Sequence, residues 1–143
     1  MDCYVFVSRE LIEDTLAVTY TQGKKELEPF KTFAKTQGLP YKIHQHPEVF
    51  QLAEVHLTEG DDWVCLEGEV EFIVGGVLKE QTWLVEKDGI VNPNEIRSKE
   101  IEGGTTIWLH SVEHLWIPAG TPHMHRSISR ARSFIYKIPM GRR

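Results

Sequence analysis

The sequence Pro-Ala-Gly-Thr-Pro-His at residues 118–123 places a histidine directly after a turn punctuated by Pro and Gly. Much earlier, Glu-Val-His at residues 54–56 puts a carboxylate and an imidazole two residues apart. On an extended strand such residues point to the same side, so Glu54 and His56 share a face. Together with Asp61 on the next predicted strand and His123, they would bring two imidazoles and two carboxylates together inside a β-barrel. That donor set suits octahedral coordination of a divalent ion.

Composition narrows the class of protein. The 143 residues suit one domain with a hydrophobic core, and the formal net charge of −5 argues against general nucleic-acid binding. No apolar run is long enough to span a bilayer, and residues 1–5 lack the basic and apolar regions of a signal peptide. Cys3 and Cys65 are too few for a disulfide framework and form no metal-binding pair. We expect a cytoplasmic protein without nucleic-acid or membrane partners.

Helical patterns occupy the start of the chain and strand patterns the rest. A Ser8 N-cap and apolar residues at helical spacing predict a helix over 8–20, and Pro29 with Gly38 bounds a second over 28–36. Short apolar runs between Gly and Pro turns predict a series of strands over residues 50–57, 61–67, 69–74, 77–85, 105–109, 114–117, 122–128 and 133–138. This pattern indicates an all-β sandwich or barrel.

Two local signals refine the strand prediction. Gly75-Gly76 predicts a two-residue hairpin turn between the strands on either side. Residues 86–104 contain Lys-Asp-Gly, Asn-Pro-Asn and Gly-Gly turn signals, so we expect the least regular structure there.

The motifs resemble those of the cupin family, the small jelly-roll barrels. The family's first motif runs Gly-x5-His-x-His-x3–4-Glu-x6-Gly, and residues 54–68 have Glu-x-His-x4-Asp-x6-Gly. Its second motif runs Gly-x5-Pro-x-Gly-x2-His-x3-Asn, and residues 118–123 have Pro-x-Gly-x2-His. The resemblance covers residues 45–138. It implies a double-stranded β-helix, or jelly-roll barrel, over residues 41–143, with residues 1–40 as a helical extension packed on it in one structural domain.

The resemblance also implies a metal site. The four ligand positions of the family fall on Glu54, His56, Asp61 and His123. Glu54 replaces the family's first His, Asp61 replaces its Glu, and Ser127 stands at its usual Asn position. A shell with this much oxygen favours Mn²⁺, Fe²⁺, Mg²⁺ or Ni²⁺ over a closed zinc site. We expect one divalent cofactor, Mn, Fe, Ni or Zn, whose identity the sequence leaves open.

His125 is the candidate catalytic residue. It lies two residues past His123 and therefore on the same strand face, where it is a plausible general acid or base. An imidazole that is hydrogen-bonded in the barrel wall is an equally weighted alternative. The pair His44 and His46 lacks the carboxylate and glycine that would complete the first motif, so we expect it on a strand or loop surface. In the alternative, one of the two imidazoles reaches the barrel mouth.

Four further residues are expected to line a pocket for a small organic ligand. Trp63 and Cys65 share a strand face with Asp61. Phe50 lies four residues before Glu54 and therefore on the same face of its predicted strand, and Tyr136 lies on the last strand. Core packing is the ordinary alternative for each of them.

The charge distribution is uneven toward the end of the chain. No Asp or Glu follows Glu113, whereas six basic residues do: Arg126, Arg130, Arg132, Lys137, Arg142 and Arg143. We favour solvated strand faces and a tail as the explanation. In the alternative, one or two of these arginines meet an anionic ligand at the barrel mouth.

Two classes of function stay open. In the favoured one, the protein is a mononuclear metalloenzyme that acts on a small oxygen-rich metabolite as an isomerase, lyase or dioxygenase. In the other, it is a non-catalytic cupin that binds a small molecule or sugar. The resemblance further implies a homodimer, because edge strands of a small barrel are prone to pairing.

Overall fold

A computed structural model describes residues 4–142 of the chain, so Cys3 and Arg143 lie outside the described residues. The first helix, α1 (Arg9–Leu16), begins where the Leu11 N–H donates to the Ser8 hydroxyl. The second, α2 (Phe30–Gln37), follows Pro29 and ends at Gly38, whose φ of 67° is in the left-handed region that glycine adopts at low cost. Both predicted helices are confirmed, although α1 ends four residues earlier than expected.

The rest of the described chain is mainly strand. The strands in chain order are β1 (Lys25–Glu26), β2 (Tyr41–Gln45), β3 (Ala53–His56), β4 (Glu59–Glu67), β5 (Glu69–Val74), β6 (Val77–Lys79), β7 (Thr82–Val85), β8 (Val91–Ser98), β9 (Glu100–Glu102), β10 (Thr105–His110), β11 (His114–Ile117), β12 (His123–Ser127) and β13 (Arg132–Pro139).

The strands form two large antiparallel sheets. One has the order β1-β2-β13-β4-β11 and the other the order β10-β5-β12-β3-β8-β7. Their facing sides share one apolar core, in which Trp63 and Ile135 of the first sheet pack with Phe72 and Leu109 of the second. The prediction of an all-β jelly-roll fold class with short N-terminal helices is thereby confirmed. No helix within residues 4–142 is long and apolar enough to cross a membrane.

The helices cover the outer face of the five-stranded sheet. Phe30, which is fully buried on α2, packs against Tyr41 and Phe134 with ring centroids 5.8 and 5.7 Å away. Because side chains alternate along a strand, Phe134 on the helix side leaves Ile135 facing the interior. The inner face of β13 is therefore free to contribute side chains to the barrel.

Two expectations about the connections are wrong. The Gly75-Gly76 turn does not close a hairpin, because β5 pairs with β10 and β12 whereas β6 pairs with β9 in a separate two-stranded sheet. Residues 86–104 are not irregular, since they contain β8, which pairs with both β3 and β7. This strand matters for the site because it runs alongside Glu54 and His56.

Candidate metal centre

Strands β3, β4 and β12 bring the four predicted ligands together. Glu54 is the register partner of His123, and His56 lies one pleat repeat further along β3. The Nε2 atom of His56 lies 3.1 Å from Oε2 of Glu54 and 3.5 Å from Oδ2 of Asp61. The Nε2 atom of His123 is also 3.5 Å from Oδ2 of Asp61. One donor atom from each of Glu54, His56 and His123 lies within 4.8 Å of the others.

Both imidazoles are held so that Nε2 faces this cluster. The Nδ1 atom of His56 lies 3.0 Å from Oε1 of Glu95, and Nδ1 of His123 lies 3.1 Å from the carbonyl oxygen of Thr121. A carbonyl only accepts, so Nδ1 of His123 must carry the proton and its Nε2 has a free lone pair. Fixing the ring through its second nitrogen is the usual arrangement for metal-ligating histidines.

The centre of the cluster contains polar atoms without partners. Nε2 of His56 and Oδ2 of Asp61 are buried and make no hydrogen bond, although Glu54 approaches Nε2 closely. Adjacent donors around an octahedral ion at about 2.1 Å would lie about 3.0 Å apart. The observed separations of 3.1 and 3.5 Å need only a small contraction to meet that spacing. The residues present therefore fit a divalent ion.

The electrostatics of the cluster favour charge on His56 when no ion is bound. Burial would lower the pKa of His56, but the carboxylates of Glu54 and Glu95 outweigh it and raise the pKa to about 9. Burial likewise opposes ionisation of Glu54, yet His56 and neighbouring cations hold the pKa of this carboxyl well below its usual range. Burial lowers the pKa of His123, so one imidazole is charged and the other is neutral.

Cations surround the carboxylates. The Lys137 ammonium donates to Oδ1 of Asp61 at 2.8 Å, which leaves Oδ2 facing the imidazoles. Arg97 donates from Nε to Glu95 at 2.7 Å, and its Nη2 lies 3.7 Å from Glu54. Lys24 is 3.9 Å from the same carboxylate. These contacts fix the carboxylates in place, as metal-ligating carboxylates generally are.

His125 faces the interior as expected, but its ring is engaged. Its Nδ1 lies 2.9 Å from Nδ1 of His46, whose Nε2 is 2.7 Å from the Ser133 hydroxyl. The ring packs beside Trp63 with centroids 4.8 Å apart, and burial holds the pKa of His125 well below its usual range. The surface position expected for His46 is wrong, because this residue is fully buried.

The four residues that were expected to line a pocket lie in different parts of the structure. Trp63 and Cys65 are buried in the core between the sheets. Phe50 packs instead with the cluster under the β6–β9 sheet, and Tyr136 stacks on Tyr41 at 4.6 Å on the helix side of β13. The expectation that Phe50 and Tyr136 line the interior pocket is wrong, because the first precedes β3 in a loop and the second alternates outward.

The cluster borders two cavities of different size. A cavity of about 10 Å³ touches Glu54, His123 and His125, which is room for about one water molecule. A larger and more open depression of about 170 Å³ touches His56 and Glu95.

Sequence reasoning missed Glu95, Arg97 and Lys24 as parts of the site. The alternation of Glu95 and Arg97 around Ile96 is a strand signal, but the Asn-Pro-Asn segment directly before it carries the opposing signal of a turn. Of the five basic residues near the end of the chain that the structure describes, the one that reaches the cluster is Lys137. Arg132, in contrast, donates to the carbonyl oxygens of Leu16 and Val18.

No family model matches the chain, and no curated protein matches it either. Among solved structures, one described as recombinant oxalate oxidase in complex with glycolate is similar to it, with a TM-score of 0.43 and 11% sequence identity. The match covers 83% of this chain and 50% of that one, so the chain spans about half the length of the matched structure. What the site binds is therefore inferred from its own residues.

Proposed function

We propose that the chain is a cupin-like protein that binds one divalent metal ion through Glu54, His56, Asp61 and His123. The observation that carries this proposal is the convergence of buried donor atoms: Nε2 of His56 and Nε2 of His123 each lie 3.5 Å from Oδ2 of Asp61, which has no hydrogen-bond partner. Glu54 adds a carboxylate oxygen 3.1 Å from Nε2 of His56. Leaving a buried oxygen such as Oδ2 of Asp61 unpaired costs about 1–3 kcal/mol, and an ion bound to it would remove that cost.

We further propose that the loaded site acts on a small oxygen-rich metabolite. A bound ion supplies Lewis acidity toward the oxygens of such a ligand. The protein's own contribution is orientation: Glu95 and Thr121 hold the imidazoles, and Lys137 holds Asp61. The ion would be Mn²⁺, Fe²⁺, Ni²⁺ or Zn²⁺, and the two carboxylates favour the first two over a closed zinc site.

Metal analysis tests the site directly. Protein that is purified without chelator and incubated with Mn²⁺ should carry about one ion per chain, measured by plasma emission spectroscopy after desalting. His56→Ala and His123→Ala should lose it, because each removes one donor. His110→Ala is the matched control, since His110 is exposed and pairs with Glu69 away from the cluster. Wild-type protein that stays metal-free with Mn²⁺, Fe²⁺, Ni²⁺ and Zn²⁺ would refute the proposal.

One observation favours the non-catalytic alternative, a cupin that only binds its ligand. The interior beside His123 has room for about one water molecule, and the imidazole proposed for proton transfer is hydrogen-bonded to His46. The distinction lies in turnover, because a binding protein would hold its ligand unchanged. The homodimer and the cytoplasmic location stay predictions.

A further inference from the structure

A second cavity lies next to the cluster, at the mouth formed by β2 and β13. Its volume is about 290 Å³, at the low end of the roughly 300–1,000 Å³ typical of small-molecule sites. Its walls are mostly apolar, and the residues that line it are Glu26, Leu39, Pro40, Tyr41, Lys42, His44, Ile135 and Lys137. An apolar wall with a few polar groups is the usual composition of a site for an organic ligand.

Two ammonium groups and one carboxylate are the charged groups that line this mouth cavity. Lys137 lines it and also donates to Asp61, so the cavity lies one side chain away from the metal cluster. An ammonium has three N–H donors, and Lys137 has Asp61 and Glu59 as its nearby carboxylates. Lys42 contributes a second ammonium, held 2.8 Å from Glu26.

His44 supplies a neutral donor at the same place. Its Nδ1 is buried without a hydrogen-bond partner, which is costly unless a ligand satisfies it. Burial and the positive charges of Lys24, Lys137 and Lys42 lower the pKa of His44 to about 3. The ring is therefore uncharged at neutral pH and can offer one N–H to an oxygen, and the ammonium groups of Lys42 and Lys137 line the same cavity.

We propose that the mouth cavity binds an organic carboxylate with an apolar body. The carboxylate of this ligand accepts hydrogen bonds from Lys42, Lys137 and an N–H of His44. The apolar body would pack on Leu39, Pro40 and Ile135. The assignment of this anion as the substrate, rather than as a separate ligand, rests on the proposed metal function, because Lys137 lines the cavity and also donates to Asp61 in the cluster.

Equilibrium binding of benzoate, benzamide and acetate to the full chain tests this proposal. Benzamide has the shape of benzoate without its charge, and acetate has the charge without the apolar body. In the absence of added metal, we expect benzoate to bind at least about tenfold more tightly than benzamide or acetate. Benzamide loses the charge-assisted hydrogen bonds, and acetate loses the apolar contact. Equal binding of benzoate and benzamide would overturn the proposal.

Variants locate the binding without disturbing the metal ligands. Lys42→Met and His44→Phe keep the approximate shape and remove the donors, so each should weaken benzoate about tenfold and leave benzamide unchanged. Lys79→Met is the control, because Lys79 lies on β6 beside a different groove. A loss in the control equal to that in the cavity variants would also overturn the proposal.

Metal content, measured on the same samples, separates the two proposals. Selective benzoate binding by protein that never takes up a metal supports the cavity and refutes the metal function. Metal uptake by protein that does not select benzoate supports the metal function and refutes the cavity proposal.

Discussion

At the scale of single residues, His56 is the centre of the site. Its two nitrogens face Glu95 and Glu54, and without an ion these contacts favour a charged imidazolium. A metal ion and a proton thus compete for the same Nε2 atom. The carboxylates that orient the ring for a metal also stabilise the proton that the metal must displace.

This competition predicts proton release. Because the pKa of His56 is raised to about 9, the ring is protonated at pH 7.5 and binding of Mn²⁺ should release about one proton per ion. Apparent affinity should rise with pH up to about 9 and then level off. Calorimetric titration in buffers of different ionisation enthalpy measures the proton number.

Glu95→Gln is the matched variant for that experiment. It keeps an acceptor near Nδ1 of His56 but removes a charge that raises the pKa of this ring, so fewer protons should be released at pH 7.5. Metal binding by the wild-type protein with no proton release would show that the ion does not displace a proton from His56, and would contradict the raised pKa of this ring.

The cluster of proposed ligands could be predicted from sequence, whereas the residues that hold them could not. Glu54, His56 and His123 stand at fixed spacings in recognisable motifs, and strand alternation alone places the first two on one face. Lys137 and Glu95 reach the cluster only because β13 pairs with β4 and β8 pairs with β3. Such long-range register has no local sequence signal, and the expected pocket role of Tyr136 failed for the same reason.

At the scale of elements, local turn signals gave wrong predictions for the segments around β6 and β8. Gly75-Gly76 and the Asn-Pro-Asn segment are local turn patterns, but the partners of β6 and β8 are set by distant parts of the chain. Where the local pattern and the packing agree, as in α2 with its Gly38 terminus, the prediction succeeded. The apolar face of this helix matches the outer face of the five-stranded sheet.

The packing of α2 predicts a stability effect that is separate from the metal site. Phe30→Ala should reduce the free energy of unfolding by about 3–5 kcal/mol, because it removes a fully buried ring between Tyr41 and Phe134. Phe33→Ala should cost less, since Phe33 is only half-buried. Urea unfolding followed by circular dichroism measures both.

Metal stoichiometry of the folded Phe30→Ala protein completes that test. It should stay near that of wild type, because the helix contacts the outer face of β13 and the ligands lie on inner faces. A folded variant that has lost the ion would show that the helical layer supports the site as well as the sheet.

At the scale of the whole molecule, the barrel interior has a polar and an apolar part. Carboxylates, imidazoles and cations occupy one region, and Trp63, Phe72 and Ile135 fill the other. Between them lies the hydrogen-bonded series of Ser133, His46 and His125. Burial of uncharged imidazoles makes the folded state sensitive to acid.

The pKa of His46 indicates how the stability of the folded chain changes with pH. Burial lowers its pKa to about 3 in the folded chain, against about 6.5 when unfolded, so between these values the unfolded state binds more protons. The stabilisation is complete above pH 6.5 and is lost as the pH falls toward 3. His46 alone can contribute a slope of up to about 1.4 kcal/mol per pH unit in this range.

Urea unfolding at a series of pH values from 4 to 8 measures this slope. His46→Asn should flatten it by up to one proton, because the variant has no group that titrates in this range. Ser133→Ala removes the hydroxyl beside His46 but no titrating group, so it should lower stability and keep the wild-type slope. If His46→Asn kept the full slope while Ser133→Ala lost it, His46 would not be the group that links folding to pH.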